Sequence, residues 1–237
     1  STQGYSSAAS DVYKRQVNDY TKGYLDAIMK VQRSIYGYFF LEDMLKGDVL
    51  DEMMRVCPVK PNEDGVETVQ YVYANYFLAR RMATDERTDI LSRVGRELGR
   101  ENKINLYTPD ASVRFINVNN KGTVDYYNEM PYVFRNSRIN LNITLRSIKS
   151  GIPLRCMDIC GAGGFLLSNY QADLYDVFVP GEDMVIYDSI DDLMNKCKYY
   201  LSHDAERRQI AQNGFGKIEE KHTYDVRFEE IFNRVFN

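Results

Sequence analysis

A Gly-Ile-Pro triplet at residues 151–153 is the most informative short motif of the 237-residue sequence. It lies between a predicted strand and a predicted helix. Glycine lets a ligand approach the backbone closely, and proline suits the first helical position because its missing N–H would be unpaired there anyway. The free N–H groups and the positive dipole end of such a helix attract anions. The triplet therefore predicts a site for an anion such as a diphosphate.

Two side chains inside the predicted helix are of types that suit a nucleotide. Asp158 lies about a turn and a half into the helix, where a carboxylate could accept hydrogen bonds from ribose hydroxyls. Arg155 could pair with a phosphate. The alternative is an ordinary capped helix with a solvated arginine and a surface carboxylate, or with the two side chains paired on one face. Local spacing alone leaves both interpretations open.

Residues 158–164, DICGAGG, permit a second interpretation. They look like the glycine-rich first motif of S-adenosylmethionine-dependent methyltransferases. That motif ends the first strand of its fold and runs into a helix, whereas here a strand-like run, residues 165–167, follows it. The methyltransferase is therefore the weaker alternative. A dinucleotide-binding GxGxxG is excluded because Leu166 stands at the third glycine position.

The sequence offers little for metal-dependent or histidine-based catalysis. Its two histidines, His203 and His222, both lie in the polar C-terminal region, and no D-x-D triplet occurs. We therefore predict no metal site and assign no catalytic residue. The four cysteines are too scattered for a disulfide framework or a zinc site, so we interpret them as small buried residues. They are Cys57, Cys156, Cys160 and Cys197.

Composition and charge narrow the class of protein further. The chain has 30 basic and 34 acidic side chains and a net charge of −4, which weakens the case for a nucleic-acid partner. Hydrophobic residues make up 44% of it, enough to build a core, yet no apolar run is long enough to cross a bilayer. We expect a cytoplasmic protein with no transmembrane segment and no nucleic-acid partner.

The elements that position residues 151–158 follow from hydrophobic spacing. Residues 17–100 carry apolar residues at helical spacing and predict a helical segment. Beyond Gly99, short apolar runs alternate with helix-like stretches, which predicts an α/β fold with a Rossmann-like, mostly parallel sheet over residues 101–237. Such sheets bind ligands beyond the carboxyl ends of their strands. The predicted strands are 104–107, 139–143, 165–167 and 184–187, and the predicted helices are 126–136, 153–160, 189–201 and 204–220.

The two ends of the sequence carry separate expectations. Residues 11–16, DVYKRQ, are the translation that a transposon-end adaptor sequence would give, so we expect residues 1–16 to be a non-native or disordered leader. We also expect the chain to be the C-terminal fragment of a longer protein. Residues 224–236 have the apolar spacing of an amphipathic helix, which we expect to pack on the helical segment.

Short segments spread over the second half of the chain combine into one pattern. They are 124–142 (VDYYNEMPYVFRNSRINLN), 151–155, Asp158, 161–167 (GAGGFLL), 178–182, 187–193, 200–207, 210–214 and 222–223. Each is weak alone, whereas their combination in this order is specific. From about residue 87 to residue 236 the chain thereby resembles the C-terminal domain of spore-maturation-type glycosyltransferases, which are family 1-like.

That resemblance implies a GT-B architecture, in which two Rossmann-like domains face a cleft and this half binds the nucleotide-sugar donor. By analogy the backbone of residues 151–154 faces the diphosphate, Asp158 matches the carboxylate that holds the ribose, and Tyr126 lies near the base. The donor site that the resemblance implies contains Gly151, Ile152, Pro153, Leu154, Arg155, Asp158, Tyr126 and Thr144.

The implied reaction transfers a sugar from a nucleotide diphosphate sugar to an unidentified glycan or protein acceptor. The donor is a substrate, so no cofactor is expected. Related retaining enzymes carry two glutamates eight residues apart; here Ser150 and Asp158 occupy those positions, which leaves retaining or inverting chemistry open. The acceptor domain, where such enzymes usually place the catalytic base, is expected to be missing, which would leave the fragment inactive. A non-catalytic nucleotide-sugar-binding or interaction module also stays open.

Overall fold

The computed structural model describes residues 17–60 and 67–236. The chain divides into two compact units. The first contains the described residues up to Asp89 together with Leu145–Lys149, and the second contains Ile90–Thr144 and the described residues from Ser150 onward. The expected leader, residues 1–16, lies outside the described residues.

The first unit is helical. It comprises α1 (Asp19–Ser34), α2 (Leu41–Met44), α3 (Gly47–Val56), α4 (Val69–Val72), a π-helical turn (Tyr73–Leu78) and the first half of α5 (Ala79–Leu98). A capping side chain begins α1, because the Asn18 side chain accepts a hydrogen bond from the Thr21 N–H at 2.8 Å. The apolar faces of these helices pack into one core around the fully buried Leu25 and Met82. The helical character predicted for this part of the chain is confirmed.

The second unit holds two parallel sheets. In the smaller sheet, β1 (Ile104–Leu106) pairs with β2 (Val118–Asn120). The larger has the order β3 (Asn140–Asn142), β4 (Leu166–Asn169), β5 (Val185–Tyr187), with Asn140 opposite Leu166 and Leu167 opposite Val185. The helices of this unit, besides the end of α5, are α6 (Met130–Asn136), α7 (Leu154–Gly161), α8 (Leu174–Val177), α9 (Ile190–Ser202), α10 (Asp204–Lys221) and α11 (Tyr224–Phe236).

Helices cover both faces of the three-stranded sheet. Leu167 belongs to a core that includes Leu193 of α9, whereas Leu166 belongs to a second core that includes Ile159 of α7. Successive strand residues point to opposite faces, so the two adjacent leucines serve different cores. Because parallel strands need crossover connections, α7 lies between β3 and β4, and α8 lies between β4 and β5. The predicted α/β class is confirmed.

Two short elements of this unit were not predicted, β2 and α8. The residues of β2, Val-Asn-Asn, lack an apolar run, and the four residues of α8 are too few to show a helical period. The small sheet also packs closely on α5, where a Cβ atom added to Gly95 would lie 2.1 Å from the Ile116 carbonyl oxygen. This close approach accounts for a glycine in the last turn of a long helix.

The C-terminal helix α11 forms as predicted, but its expected burial is not seen. None of its described residues is buried, and Phe228, Phe232 and Phe236 are each more than half exposed. Their rings follow one another along one face, with centroids 6.3 Å and 5.9 Å apart. Within the described ranges, none of the helices combines the length and apolar character that a membrane crossing requires.

Candidate functional site

Side-chain amides join the carboxyl ends of β3 and β4. The Thr144 N–H donates to Asn169 Oδ1 at 2.8 Å, and Asn169 Nδ2 donates back to the Thr144 carbonyl at 3.0 Å. Asn142 Nδ2 donates to the Thr144 hydroxyl at 2.8 Å and to Ser168 Oγ at 3.0 Å. All four residues are buried. Buried polar groups that satisfy one another in this way fix the strand ends from which the neighbouring loops depart.

A glycine turn leads from these strand ends into α7. Gly151 has φ +93°, a conformation that side chains disfavour, and no described atom lies within 4 Å of the position of an added Cβ. The helix begins at Leu154, so Pro153 occupies the capping position, one residue earlier than the first helical position predicted for it. No side chain among the described residues caps this N-terminus. The first N–H groups of α7 therefore keep their capacity to meet an anion.

The loop after β4 reaches back to this turn. The Gly151 N–H donates a hydrogen bond to Oδ2 of Asp173, the residue immediately before α8. The Asp173 carboxylate thus accepts a hydrogen bond from the backbone of the loop that is predicted to bind the diphosphate. Sequence reasoning missed Asp173, although the loops after strands had been expected to carry ligands, because nothing in the local pattern pairs two loops 22 positions apart.

Tyr126 and Asp158 meet through a hydrogen bond. The Tyr126 hydroxyl donates to Asp158 Oδ2. The tyrosine is positioned by a turn in which Asp125 Oδ1 accepts hydrogen bonds from the N–H groups of Tyr127 and Asn128, at 3.1 and 2.6 Å. The bond to Asp158, followed by burial, raises the pKa of Tyr126 to about 12. The phenol therefore stays protonated, and the other oxygen of Asp158 accepts no hydrogen bond from a described residue.

Arg155 stands apart from Asp158. Both side chains are described, and no ion pair joins them; the Arg155 guanidinium instead lies 5.7 Å from the ring centroid of Phe134. Arg155 is exposed in the first turn of α7, next to the exposed Leu154. The alternative in which Asp158 pairs with Arg155 is therefore wrong, and the arginine remains available to an anion at the helix N-terminus.

The predicted donor-site residues separate into two groups. Those on the turn and α7 (Gly151, Ile152, Pro153, Leu154, Arg155 and Asp158), together with Tyr126, are partly or fully exposed. Thr144 is buried with its backbone and hydroxyl engaged by asparagines, so it supports the loop from below. The strand-end residues Asn142, Ser168 and Asn169 were not singled out, although two of them directly follow the apolar residues of β4.

The segment Leu145–Lys149, between Thr144 and the glycine turn, belongs to the first unit. Its Arg146 guanidinium lies over the Tyr36 ring, 3.1 Å from the centroid, and pairs with the buried Glu86 carboxylate at 2.5 Å. The Lys149 ammonium lies 3.5 Å from the Glu42 carboxylate. These contacts hold Leu145–Lys149 within the first unit.

The glycines of residues 158–164 have a structural explanation. Gly163 has φ +76° in the turn that ends α7, and a Cβ on Gly164 would lie 2.8 Å from the Phe134 carbonyl oxygen. The motif thus ends a helix and leads into β4, which is the reverse of the strand-to-helix order that a methyltransferase motif requires.

A buried thiol, that of Cys156, lies at the strand ends. No group of three or more His, Cys, Asp or Glu residues able to hold a metal occurs within the described part of the chain. Burial raises the pKa of the Cys156 thiol to about 12. Its Sγ accepts a hydrogen bond from Asn142 Nδ2 at 3.4 Å, so this cysteine belongs to the strand-end network.

The chain matches the sequence model of a known protein family. Residues 80–233, more than half of the chain, match the sequence model of a family described as glycosyl transferase-like. No curated protein matches the chain. The matched range begins in α5, contains both sheets, and includes the turn, α7 and the Tyr126–Asp158 pair.

Proposed function

We propose, from the premise that this chain belongs to the glycosyl transferase-like family, that the glycine turn and α7 bind the nucleotide diphosphate sugar donor of a glycosyltransferase. The observation that carries the proposal is the uncapped N-terminus of α7, with Gly151 before it and Arg155 in its first turn. Backbone N–H groups, a helix dipole and a guanidinium together suit a diphosphate.

Helix α7 also offers a second contact to the donor, at a distance from its N-terminus that suits a ribose. Asp158 lies four residues after Leu154, which is roughly 6 Å along a helix that rises 1.5 Å per residue. A diphosphate at the N-terminus of α7 would leave the attached ribose near Asp158. The Asp158 oxygen that accepts no hydrogen bond from a described residue could accept one from a ribose hydroxyl. Tyr126, which is 39% exposed, offers a ring surface on which the base could stack.

The finer assignments rest on the sequence resemblance. We propose that the family member is of the spore-maturation type, with a GT-B architecture in which a second Rossmann-like domain binds the acceptor and supplies the catalytic base. Transfer would then be independent of metal ions, and the acceptor would be a glycan or a protein. Positively charged and backbone donors at α7 would stabilise the leaving diphosphate in place of a metal ion.

Calorimetric titration with UDP, GDP, uridine, guanosine and S-adenosylmethionine tests the proposal. One of the two nucleoside diphosphates is expected to bind more tightly than its nucleoside, and S-adenosylmethionine is expected not to bind. Melting curves with the same ligands provide a second measurement, because a ligand that binds the folded state raises the melting temperature. Binding of S-adenosylmethionine alone, or of none of the five compounds, would reject the donor site.

A further inference from the structure

We propose that the Asp173 carboxylate occupies the position of a phosphate at the Gly151 N–H, so that a diphosphate must displace it. The inference rests on the proposed function, because it concerns regulation of the same site. The hydrogen bond from Gly151 to Asp173 joins the loops after β3 and β4. Carboxylate and phosphate oxygens are both anionic acceptors, and one N–H in a tight turn serves only one of them well.

The Asp173 carboxylate is held weakly enough at the Gly151 N–H for a diphosphate to displace it. Within the described residues, its side chain makes one hydrogen bond, to Gly151. Asp183 provides the contrast: it is buried, accepts from the Val179 N–H at 2.8 Å and pairs with Lys217. A rotation about the Cα–Cβ bond of Asp173 would therefore break a single interaction. The residue is half-buried and directly precedes the short helix α8.

The charge of Asp173 makes the exchange selective. No ion pair among the described residues neutralises this carboxylate, which therefore adds a negative charge beside the N-terminus of α7. Two anions at one turn repel each other, so the charge opposes a diphosphate and leaves an uncharged nucleoside unaffected. Asp173 thus acts as a specificity-determining residue that weakens the phosphate contact until it moves away.

The test compares the whole wild-type chain with Asp173→Asn. Calorimetric titrations use UDP, GDP and the two nucleosides. Asparagine keeps the size of the side chain and removes its charge, so nucleoside diphosphate affinity is expected to rise roughly three- to tenfold, by analogy with charge effects at helix termini. Nucleoside affinity is expected to stay the same. Asp176→Asn, an exposed change on α8 that removes the same charge three positions later, is the matched control and is expected to behave as wild type.

Each other outcome has a definite meaning. Unchanged or weaker diphosphate binding by Asp173→Asn, or an equal gain in Asp176→Asn, overturns the inference and leaves the donor site in place. Weaker binding by Asp173→Asn only in the presence of Mg²⁺ would make Asp173 a metal ligand and also overturns it. If none of the proteins binds any nucleotide or nucleoside, the proposed function fails and the inference fails with it. If Asp173→Asn does not fold, Asp173→Ser, which also removes the charge and keeps a small polar side chain, takes its place.

Discussion

The Arg146 guanidinium and the Glu86 carboxylate form a buried ion pair across 60 positions of the chain. The side chains are only 4% and 3% exposed. Arg146 Nη2 also donates to the Arg33 carbonyl at 3.3 Å, and its guanidinium lies over Tyr36. Arg146 thus holds the segment Leu145–Lys149 within the helical unit, to which its partners also belong.

Glu86→Gln is expected to destabilise the chain strongly. Removing one member of a buried ion pair leaves the other charged, buried and poorly compensated, which typically lowers the free energy of unfolding by about 3 to 5 kcal/mol. Chemical denaturation measures the change. Asp85→Asn is the control, because Asp85 on the same helix pairs with Arg81 at 2.9 Å but is 39% exposed, and its loss is expected to change stability by less than about 1 kcal/mol. Similar effects of the two variants would show that the buried pair contributes no more than a surface one.

Replacing two helical glycines by alanine is expected to change the free energy of unfolding in opposite directions. At Gly95 the new Cβ would meet the Ile116 carbonyl, so Gly95→Ala is expected to lower the free energy of unfolding by about 1 to 3 kcal/mol. Gly23, in α1, has no described atom within 4 Å of an added Cβ, and Gly23→Ala is expected to raise stability by up to about 1 kcal/mol through helix propensity. Denaturant titration measures both. A stabilising Gly95→Ala would contradict the packing of the small sheet on α5.

Tyr126→Phe is expected to change the pH dependence of stability. The hydrogen bond to Asp158 raises the pKa of Tyr126 from 10.0 to about 12 in the folded chain. A pKa raised by folding contributes stability that is fully present below about pH 10 and is lost as the pH approaches 12. The difference in melting temperature between wild type and Tyr126→Phe should therefore narrow above pH 10. Tyr127→Phe, at the exposed neighbouring position, is the control, and a constant difference from pH 8 to 11 would count against the hydrogen bond.

Asp158→Asn is expected to weaken nucleoside and nucleotide binding alike. If the carboxylate accepts from ribose, losing its charge should reduce affinity by about 1.5 to 3 kcal/mol, the range for hydrogen bonds to charged groups. The melting temperature without ligand should change little, because the asparagine side chain can still accept a hydrogen bond from the Tyr126 hydroxyl. Calorimetric titration and melting curves measure the two effects. Asp225→Asn, exposed on α11, controls for net charge, and wild-type affinity in Asp158→Asn would remove the ribose assignment.

Arg155→Ala is expected to separate phosphate from nucleoside recognition. The guanidinium is exposed in the first turn of α7 and has no ion-pair partner among the described residues. Removing it should weaken nucleoside diphosphate binding by about 1.5 to 3 kcal/mol and leave nucleoside binding unchanged. Parallel titrations with UDP or GDP and with the matching nucleoside measure the difference. Equal losses for both ligands would place Arg155 away from the phosphates.

Local patterns in the sequence determined the secondary structure around the site. The short runs at residues 139–143, 165–167 and 184–187 predicted β3, β4 and β5. The last two are continuously apolar, as a strand buried on both faces requires. The Gly-Ile-Pro triplet predicted the start of α7 to within one residue because glycine and proline act on the backbone directly. Each of these signals is complete within a few neighbouring residues.

Only the tertiary structure decided which side chains meet. The contacts of Asp173 with Gly151, of Tyr126 with Asp158 and of Arg146 with Glu86 join residues 22, 32 and 60 positions apart. Such pairs depend on the paths of the loops and on how the helices cover a sheet. Neither of these produces a periodic pattern in the sequence. The sequence alone therefore determined the α/β class and the glycine turn, and the tertiary structure decided which carboxylate faces that turn, because side-chain pairing is settled only when the loops are packed.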